Sequence, residues 1–300
     1  MSFVSLVTIP QNTNNPLQDA IVQSINLIDY SFGTGVRRVV IKPNLCYYWD
    51  CTTGQTTDPF FISSLIDVLR QRIGSDIDIA IIESDASAMR CKYAFRMLGY
   101  EKLAREKNVR LVNLSEDSSN GMDVSCNGRN YNFLLPKTIA DADLKINVAH
   151  IKYTVDPIKL TCALKNIFGC NPYQKKFKYH NDLGNVIVAL NKAMPFDLTL
   201  IDCNVAAGVQ PRKIGLVMAS KDPVALDVVA ARIAGLNPDK ISYIALAERE
   251  GIGTRTYVAK GGEIEFYRAL YPRITFIMKS KGRVKRVLVK VGMGRRLGLE

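Results

Sequence analysis

The sequence has 300 residues, of which 47% are hydrophobic, and it carries a formal net charge of +12. This length and composition suffice for one large domain, or two small ones, with a sizeable core. Because no stretch approaches about eighteen uninterrupted apolar residues, we expect no membrane span. The first residues lack the basic and apolar segments of a secretory signal, so we expect a cytoplasmic protein.

Strands and helices alternate along the first part of the chain. Residues 2–9 and 37–41 are rich in residues that favour strands. Asp58-Pro59 is typical of a helix start, with Asp as the N-cap and Pro at the first helical position. In chain order the sequence predicts strands over 2–9, 37–41, 77–82 and 110–113, and helices over 16–28, 59–73 and 87–98.

The rest of the chain begins with a hairpin signal and then returns to the same alternation. Asn127-Gly128 separates two alternating runs and favours a tight hairpin turn. Asp222-Pro223 is a second capped helix start, and Gly169 is placed to end a helix. The sequence predicts strands over 144–148, 198–201 and 214–219, and helices over 157–168, 183–193, 223–234 and 239–250.

This order of elements predicts an α/β fold, a mostly parallel sheet with helices on both faces in a Rossmann-like, three-layer arrangement. We expect one domain over residues 1–258, with an antiparallel hairpin excursion near 122–135, followed by a basic C-terminal extension over 259–300. Residues 279–300 hold eight basic residues and one acidic residue. These residues are a candidate contact for nucleic acid or an anionic surface. The alternative is that they form a solvated end of the chain or a basic pair of strands.

Polar residues follow five of the predicted strands, at the position where α/β sheets bind ligands. If the sheet is parallel, all of them lie at one edge. Helices beginning at Asp58 and Asp222 would direct positive dipole ends to that edge. The alternative is that these aspartates cap their helices and take no part in a ligand site. The residues at the strand ends are Lys42 with Asn44, Glu83, His150 with Lys152, Asp202, and Lys221 with Asp222.

Two further polar positions lie between the predicted elements of the central region. Lys165 and Asn166 interrupt an apolar helix face, so Lys165 is either buried with a partner or directed at a ligand. His180 lies in the basic and aromatic segment KKFKYH. It is either an acid–base group that titrates near neutrality or an ordinary surface histidine.

The seven cysteines are an odd number and form no CxxC pair, which argues against a disulfide scaffold or a zinc ribbon. Four of them flank the polar loops: Cys46, Cys51, Cys162 and Cys170. We expect structural thiols, with an iron–sulfur or disulfide arrangement as the alternative. The motifs GxGxxG after a strand, Walker A, HExxH and GxSxG are absent, which argues against the common enzyme classes that carry them.

Between about residues 38 and 253 the sequence contains, in order, VVIKPNL, TTDP, IAIIESDAS, DADLKINVAHIK, LTCALKNIFG, LTLIDCNVAAGVQP and LVMASKDPVALDVVAARIAGL. This series resembles the widespread family of unknown function called DUF362. The segments ALKNIFG and ASKDPVALD are the most specific part of the resemblance. The family's polar motif positions would correspond here to Lys42, Asn44, Asp58, Glu83, Lys152, Lys165, Asn166, His180, Asp202, Asp222 and Asp227.

The chain departs from the family pattern in two respects. Many members carry a ferredoxin-like segment with CxxCxxC clusters, and this chain has none, so the resemblance does not imply an iron–sulfur cluster here. Members also commonly have Lys-Thr-His after the strand that here ends at Ala149. This chain has Lys152-Tyr153-Thr154 and so keeps the lysine but lacks the histidine. Any role that needs that imidazole is therefore in doubt, because His150 lies two residues before the lysine and not after it.

The sequence therefore favours a protein that binds an anionic small molecule, bearing phosphate or carboxylate, or an anionic cofactor precursor. No metal ligand is assigned, and Mg²⁺ held with a phosphorylated substrate is the candidate cofactor. The alternatives are a redox or metal protein that uses the four loop cysteines and a nucleic-acid-associated protein that uses residues 279–300. Predicted binding residues are Lys42, Asn44, Asp58, Lys152, Lys165, Asn166 and Asp222, and predicted acid–base residues are Glu83, Asp202 and His180.

Overall fold

The computed structural model of the protein describes residues 1–154 and 156–273. The strands of this part are β1 (Ser2–Thr8), β2 (Arg38–Pro43), β3 (Asp78–Glu83), β4 (Arg110–Asn113), β5 (Ser119–Cys126), β6 (Arg129–Pro136), β7 (Leu144–Ala149), β8 (Lys152–Tyr153), β9 (Leu160–Thr161), β10 (Leu198–Ala206), β11 (Arg212–Ser220) and β12 (Tyr257–Gly261).

The α-helices of the same part are α1 (Pro16–Leu27), α2 (Pro59–Ile73), α3 (Cys91–Met97), α4 (Tyr100–Lys107), α5 (Lys137–Ala140), α6 (Ala163–Asn166), α7 (Leu183–Ala193), α8 (Pro223–Ile233), α9 (Ser242–Arg249) and α10 (Ile264–Leu270). Short 3₁₀ helices lie at Cys51–Thr53, Ile167–Cys170, Lys176–Asp182 and Pro238–Lys240.

Eight of the strands form one sheet, in the order β12-β1-β11-β10-β7-β2-β3-β4. Neighbouring strands are parallel except where β11 takes part, because β11 runs antiparallel to both β1 and β10. The connection 207–211 between β10 and β11 is too short for the crossover that parallel neighbours need. The predicted mostly parallel sheet is confirmed, with one reversed strand.

Helices cover both faces of this sheet because its central strands bury side chains on both sides. In β2, Val39 and Ile41 pack into the layer that holds α1 to α4, whereas Val40 between them packs into the layer that holds α6 to α10. This follows from the alternation of successive side chains along a strand. The predicted three-layer α/β fold is confirmed.

The predicted hairpin is present as β5 and β6, which pair antiparallel around Asn127 and Gly128. Both turn residues have positive φ, 51° and 70°, as the tight hairpin turn requires and as Asn-Gly allows. Cys126 and Phe133 anchor the hairpin in the core layer that contains α7. The excursion from the main sheet is therefore attached to the domain by apolar packing.

The helix predicted over residues 157–168 is wrong. Leu160–Thr161 is a strand that pairs with Lys152–Tyr153, and only Ala163–Asn166 is α-helical before the chain tightens into 3₁₀ turns. The segment is buried on nearly all sides, and a short apolar run of that kind has no diagnostic period. Gly169 consequently lies inside the 3₁₀ helix Ile167–Cys170 and ends no α-helix.

Several other boundaries differ by a few residues. Strand β10 continues through Asp202 to Ala206, and the helices predicted over 87–98 and 239–250 begin later, at Cys91 and Ser242. The division between residues 1–258 and a basic extension stays a prediction: β12 crosses it, and residues 279–300 lie outside the described part. None of the helices over residues 1–154 and 156–273 has the length and apolar content needed to cross a bilayer.

Candidate functional site

The carboxyl ends of β2, β3 and β7 meet at one edge of the sheet, because these strands are parallel neighbours. A cavity of about 440 Å³ opens there, a volume within the range of about 300–1,000 Å³ that small-molecule sites occupy. Seven of the ten predicted site residues line it, namely Lys42, Asn44, Glu83, Lys152, Lys165, Asn166 and His180.

Asp222 does not belong to this group, and the expectation that all five strand ends share an edge is wrong for β11. Because β11 is antiparallel to its neighbours, its carboxyl end lies at the opposite edge of the sheet. Asp222 caps α8 there, accepting the N–H groups of Val224 at 2.8 Å and Ala225 at 3.0 Å. It also accepts a hydrogen bond from the Ser2 hydroxyl at 2.7 Å.

Asp58 and Asp202 lie at the ligand edge but outside the lining of the cavity. The N–H of Asp58 donates to Asp202 at 2.9 Å, and His150 Nε2 lies 3.3 Å from the same carboxylate oxygen. Burial acts to raise the pKa of Asp202, but His150 and these hydrogen bonds outweigh it and lower the pKa. His150 is thus engaged in a buried pair next to the cavity and does not supply the imidazole that the family pattern places after the lysine.

Lys42 and Glu83 form a buried ion pair on the cavity wall. Lys42 Nζ lies 2.8 Å from Glu83 Oε2, and only 1% and 4% of the two side chains is exposed. The second oxygen of Glu83 accepts the N–H of Ser84 at 2.9 Å. Gly169 lies against this pair so closely that a Cβ there would be 2.7 Å from Lys42 Cε and 2.9 Å from Glu83 Oε1. The site needs glycine at position 169 because the backbone there packs directly against the ion pair, and not because of an unusual backbone conformation.

Lys152 is held by neutral oxygens. Its ammonium donates to Asn44 Oδ1 at 2.6 Å and to the carbonyl of Gln55 at 2.8 Å. Asn44 in turn donates to Asn166 Oδ1 at 2.8 Å, which ties the lysine to α6. Burial lowers the pKa of Lys152, and the Cys46 thiol beside it acts in the opposite direction.

Lys165 projects into the same cavity from α6. Among the hydrogen bonds and ion pairs within residues 1–154 and 156–273, none involves its ammonium group. Burial lowers the pKa of Lys165 to about 8, and the nearby Lys152 ammonium adds to the effect. A lysine of this kind, with no partner and a perturbed pKa, is characteristic of a site that receives a ligand.

Asp227 explains how the short helix α6 is held in place. This residue of α8 is fully buried and accepts the backbone N–H groups of Ala163 at 2.7 Å and Leu164 at 3.3 Å. Burial raises the pKa of Asp227 to about 7 in spite of these hydrogen bonds. The role of this carboxylate in an otherwise apolar helix is therefore to position the turn that carries Lys165 and Asn166.

The sequence interpretation missed Lys176. The residue is only 5% exposed and lines the cavity, and its Nζ donates to the Ser84 hydroxyl at 2.5 Å. Burial lowers the pKa of Lys176 to about 8, and Glu83 acts in the opposite direction. The only signal in the sequence is the run of basic and aromatic residues KKFKYH. A run of this kind is equally typical of a solvated loop.

His180 lies at the mouth of the cavity and is exposed to solvent. Its ring centroid is 4.9 Å from that of Phe177, and Nδ1 lies 3.2 Å from the carbonyl oxygen of the same residue. The imidazole is therefore oriented by its own 3₁₀ turn, and its other nitrogen is free of hydrogen bonds to the described residues.

The four loop cysteines do not form a cluster. All seven thiols of the chain are free, and among the described residues no three His, Cys, Asp or Glu side chains are grouped as metal ligands. Cys46 lines the cavity, whereas burial raises the pKa of Cys51 and of Cys170 to about 12 and that of Cys162 well above its usual value. Thiols shifted in this direction are poor nucleophiles and poor metal ligands near neutral pH.

Two solved structures are similar to part of the chain. The lactate racemase apoprotein of Thermoanaerobacterium thermosaccharolyticum is 12% identical, with a TM-score of 0.46 over 79% of this chain and 58% of that chain. A protein from Thermotoga maritima is 9% identical, with a TM-score of 0.42 over 79% of this chain and 59% of that chain.

The sequence also matches a curated protein and a family model. A thylakoid-associated protein of Synechocystis sp. is 34% identical over 131 residues, and the match covers 39% of this chain and 40% of that protein. The model of a domain of unknown function, DUF362, matches residues 39–232, which include the strands, α6 and Asp227 that build the cavity. The chain belongs to the DUF362 family.

Proposed function

We propose that the cavity binds a small molecule bearing phosphate or carboxylate groups and that the protein is an enzyme acting on it. The excess of positive charge around the cavity is the observation that carries this proposal. Four lysines line it, whereas Glu83 is the one carboxylate among the described lining residues. Glu83 is already paired with Lys42.

Within the described part of the chain, the other three ammonium groups therefore lack a carboxylate partner. Lys152 and Lys176 donate to neutral oxygens, and Lys165 has no partner among the described residues. Burying a cation without a counter-charge is costly. A bound anion would offset this cost, since charge-assisted hydrogen bonds to phosphate or carboxylate are about twice as strong as neutral ones.

The same arrangement suits proton transfer. A group with a pKa near the working pH is the most effective acid or base, and Lys165, with a pKa of about 8, lies inside the cavity. We assign it that role, with His180 at the mouth as the second candidate. We assign Glu83 to holding Lys42, because both of its oxygens are engaged.

Binding of Mg²⁺ together with a phosphorylated ligand stays a prediction. Asp58 and Asp202, the other carboxylates of this edge, lie outside the cavity lining. The metal would therefore depend mainly on oxygens of the ligand and on water, a mode that Mg²⁺ commonly adopts with phosphates.

Substitution of Lys165 tests the proposal. Lys165→Ala removes a charge that has no partner within residues 1–154 and 156–273, so we expect the fold and the melting temperature of the ligand-free protein to be retained. Inorganic diphosphate should raise the melting temperature of the wild-type protein by binding the folded state, and this rise should be lost in the variant. Differential scanning fluorimetry at constant ionic strength measures both quantities.

Lys221→Ala is the matched control, because Lys221 is an exposed lysine at the opposite edge of the sheet. It should keep the full response to diphosphate. An equal loss of response in both variants would mean that diphosphate binds through net charge alone, and the proposal would fail. Unfolding of Lys165→Ala would show instead that Lys165 is structural.

A further inference from the structure

The mouth of the cavity carries exposed aromatic side chains. Tyr47, Trp49 and Phe177 are 46%, 49% and 60% exposed, and they are three of the nine large apolar side chains exposed in the described part of the chain. All three line the cavity, together with His180. We call these four residues the aromatic rim. Trp49 is the only tryptophan of the sequence.

The loop that carries Tyr47 and Trp49 is fixed on both sides. The hydroxyl of Tyr48 accepts the N–H of Arg90 at 2.9 Å, and Asp50 caps the following 3₁₀ turn by accepting the N–H of Thr52 at 2.8 Å. Tyr47 adopts a left-handed φ of 54°, a conformation that costs energy for a bulky residue. The rings are exposed on a loop that hydrogen bonds hold on both sides, which is the arrangement of a preformed contact surface.

The segment that carries Phe177 and His180 is anchored to the same site. Lys176, the residue before Phe177, is buried against Ser84. Just before it, the side chain of Gln174 accepts a hydrogen bond from Arg90 at 2.7 Å. Arg90 therefore contacts both the segment with Phe177 and, through Tyr48, the loop with Trp49. The two halves of the aromatic rim are held by one common residue.

We infer that the ligand of this cavity is an aromatic anion, with a planar ring held against the aromatic rim and an anionic group held among Lys152, Lys165 and Lys176. This inference rests on the proposed anion site and adds the ring. Aromatic faces bind planar rings by stacking, and base–aromatic stacking is tolerant of the identity of the base. A nucleotide has both parts, a ring and a phosphate.

Two phosphate monoesters of the same charge type distinguish the contribution of the ring to binding from that of the anionic group. Adenosine 5′-monophosphate carries a ring and glycerol 3-phosphate does not. Isothermal titration calorimetry should give a dissociation constant at least about tenfold lower for the first, which corresponds to about 1.4 kcal/mol. Binding of the nucleotide should also quench the fluorescence of Trp49, which is the only indole in the chain.

Phe177→Ala and Trp49→Ala should each reduce the preference for the nucleotide and leave the affinity for glycerol 3-phosphate unchanged. Phe60→Ala is the control, because Phe60 is 72% exposed on α2 and does not line the cavity. Equal affinities of the wild-type protein for the two esters would overturn the inference and leave the anion site standing. If neither ester binds, the anion site fails and the inference fails with it.

Discussion

The carboxylate of Asp227 accepts the backbone N–H of Ala163 at 2.7 Å, which links the centre of helix α8 to the first residue of the short helix α6. Lys165 lies two residues further along α6. A four-residue helix has little stability of its own, because most helical stability in proteins comes from tertiary packing. The position of Lys165, which has no partner among the described residues, therefore depends on the buried Asp227 of the neighbouring helix α8.

Replacing Asp227 should damage the site from a distance. Asp227→Ala leaves the N–H groups of Ala163 and Leu164 without an acceptor, and buried unsatisfied groups cost about 1–3 kcal/mol each. For the two groups together we expect urea unfolding to show a loss of about 2–6 kcal/mol. The affinity for diphosphate should fall at least about tenfold, because Lys165 loses its fixed position.

Asp222 provides the comparison for this variant. It caps the same helix α8 but lies at the opposite edge of the sheet. Asp222→Ala should cost about 0.5–2 kcal/mol, the usual range for the loss of an N-cap, without changing the affinity for diphosphate. Unchanged affinity in Asp227→Ala would show that Asp227 supports the fold but does not position the site.

A methyl group at Gly169 should disturb the buried ion pair directly. In Gly169→Ala the new Cβ would lie 2.7 Å from Lys42 Cε and 2.9 Å from Glu83 Oε1, so either the pair or the 3₁₀ helix must shift. Overpacking of this kind typically costs about 1–3 kcal/mol. We expect a loss of stability in that range in urea unfolding, together with weaker binding of diphosphate.

Gly184→Ala is the matched substitution, because its Cβ would lie 3.9 Å from the nearest atom, Cβ of Tyr243. Gly184 belongs to helix α7, where alanine is favoured over glycine by up to about 1 kcal/mol. This variant should be neutral or more stable and should bind diphosphate normally. A tolerated Gly169→Ala would mean that the wall formed by Lys42 and Glu83 is free to move.

The sequence predicted those parts of the fold that local signals determine. Asn127-Gly128 marks the hairpin, and Asp58-Pro59 and Asp222-Pro223 mark helix starts that the structure confirms. The edge at which Asp222 lies could not be predicted in the same way. Strand direction depends on how β11 is connected and paired in the sheet, and the residues at its carboxyl end carry no information about that.

The site was only partly predictable for a related reason. Lys42, Lys152 and Lys165 stand next to strands or within an apolar segment, so their unusual environment is visible in the sequence. Lys176 stands among other basic residues, and its burial depends on Ser84, which is 92 residues away in the sequence. A contact of that range leaves no periodic pattern for sequence reasoning to detect.

The pH dependence of binding tests the charge state of the cavity. Burial lowers the pKa values of Lys165 and Lys176 from 10.5 to about 8 in the ligand-free protein. A bound anion favours the ammonium form and raises both values, so binding above pH 8 must take up protons. The affinity should therefore be nearly constant below about pH 7 and should fall as the pH rises through 8 toward 10.

Sulfate is a suitable probe because its charge is constant over this range. Calorimetry in buffers of different ionisation enthalpy counts the protons taken up, and we expect up to two near pH 9, with an affinity loss of up to about tenfold per pH unit for each proton. Lys165→Gln should remove one proton from the count, whereas Lys221→Gln, at the opposite edge of the sheet, should leave it unchanged. A sulfate affinity independent of pH between 7 and 10 would place the anion away from these two lysines.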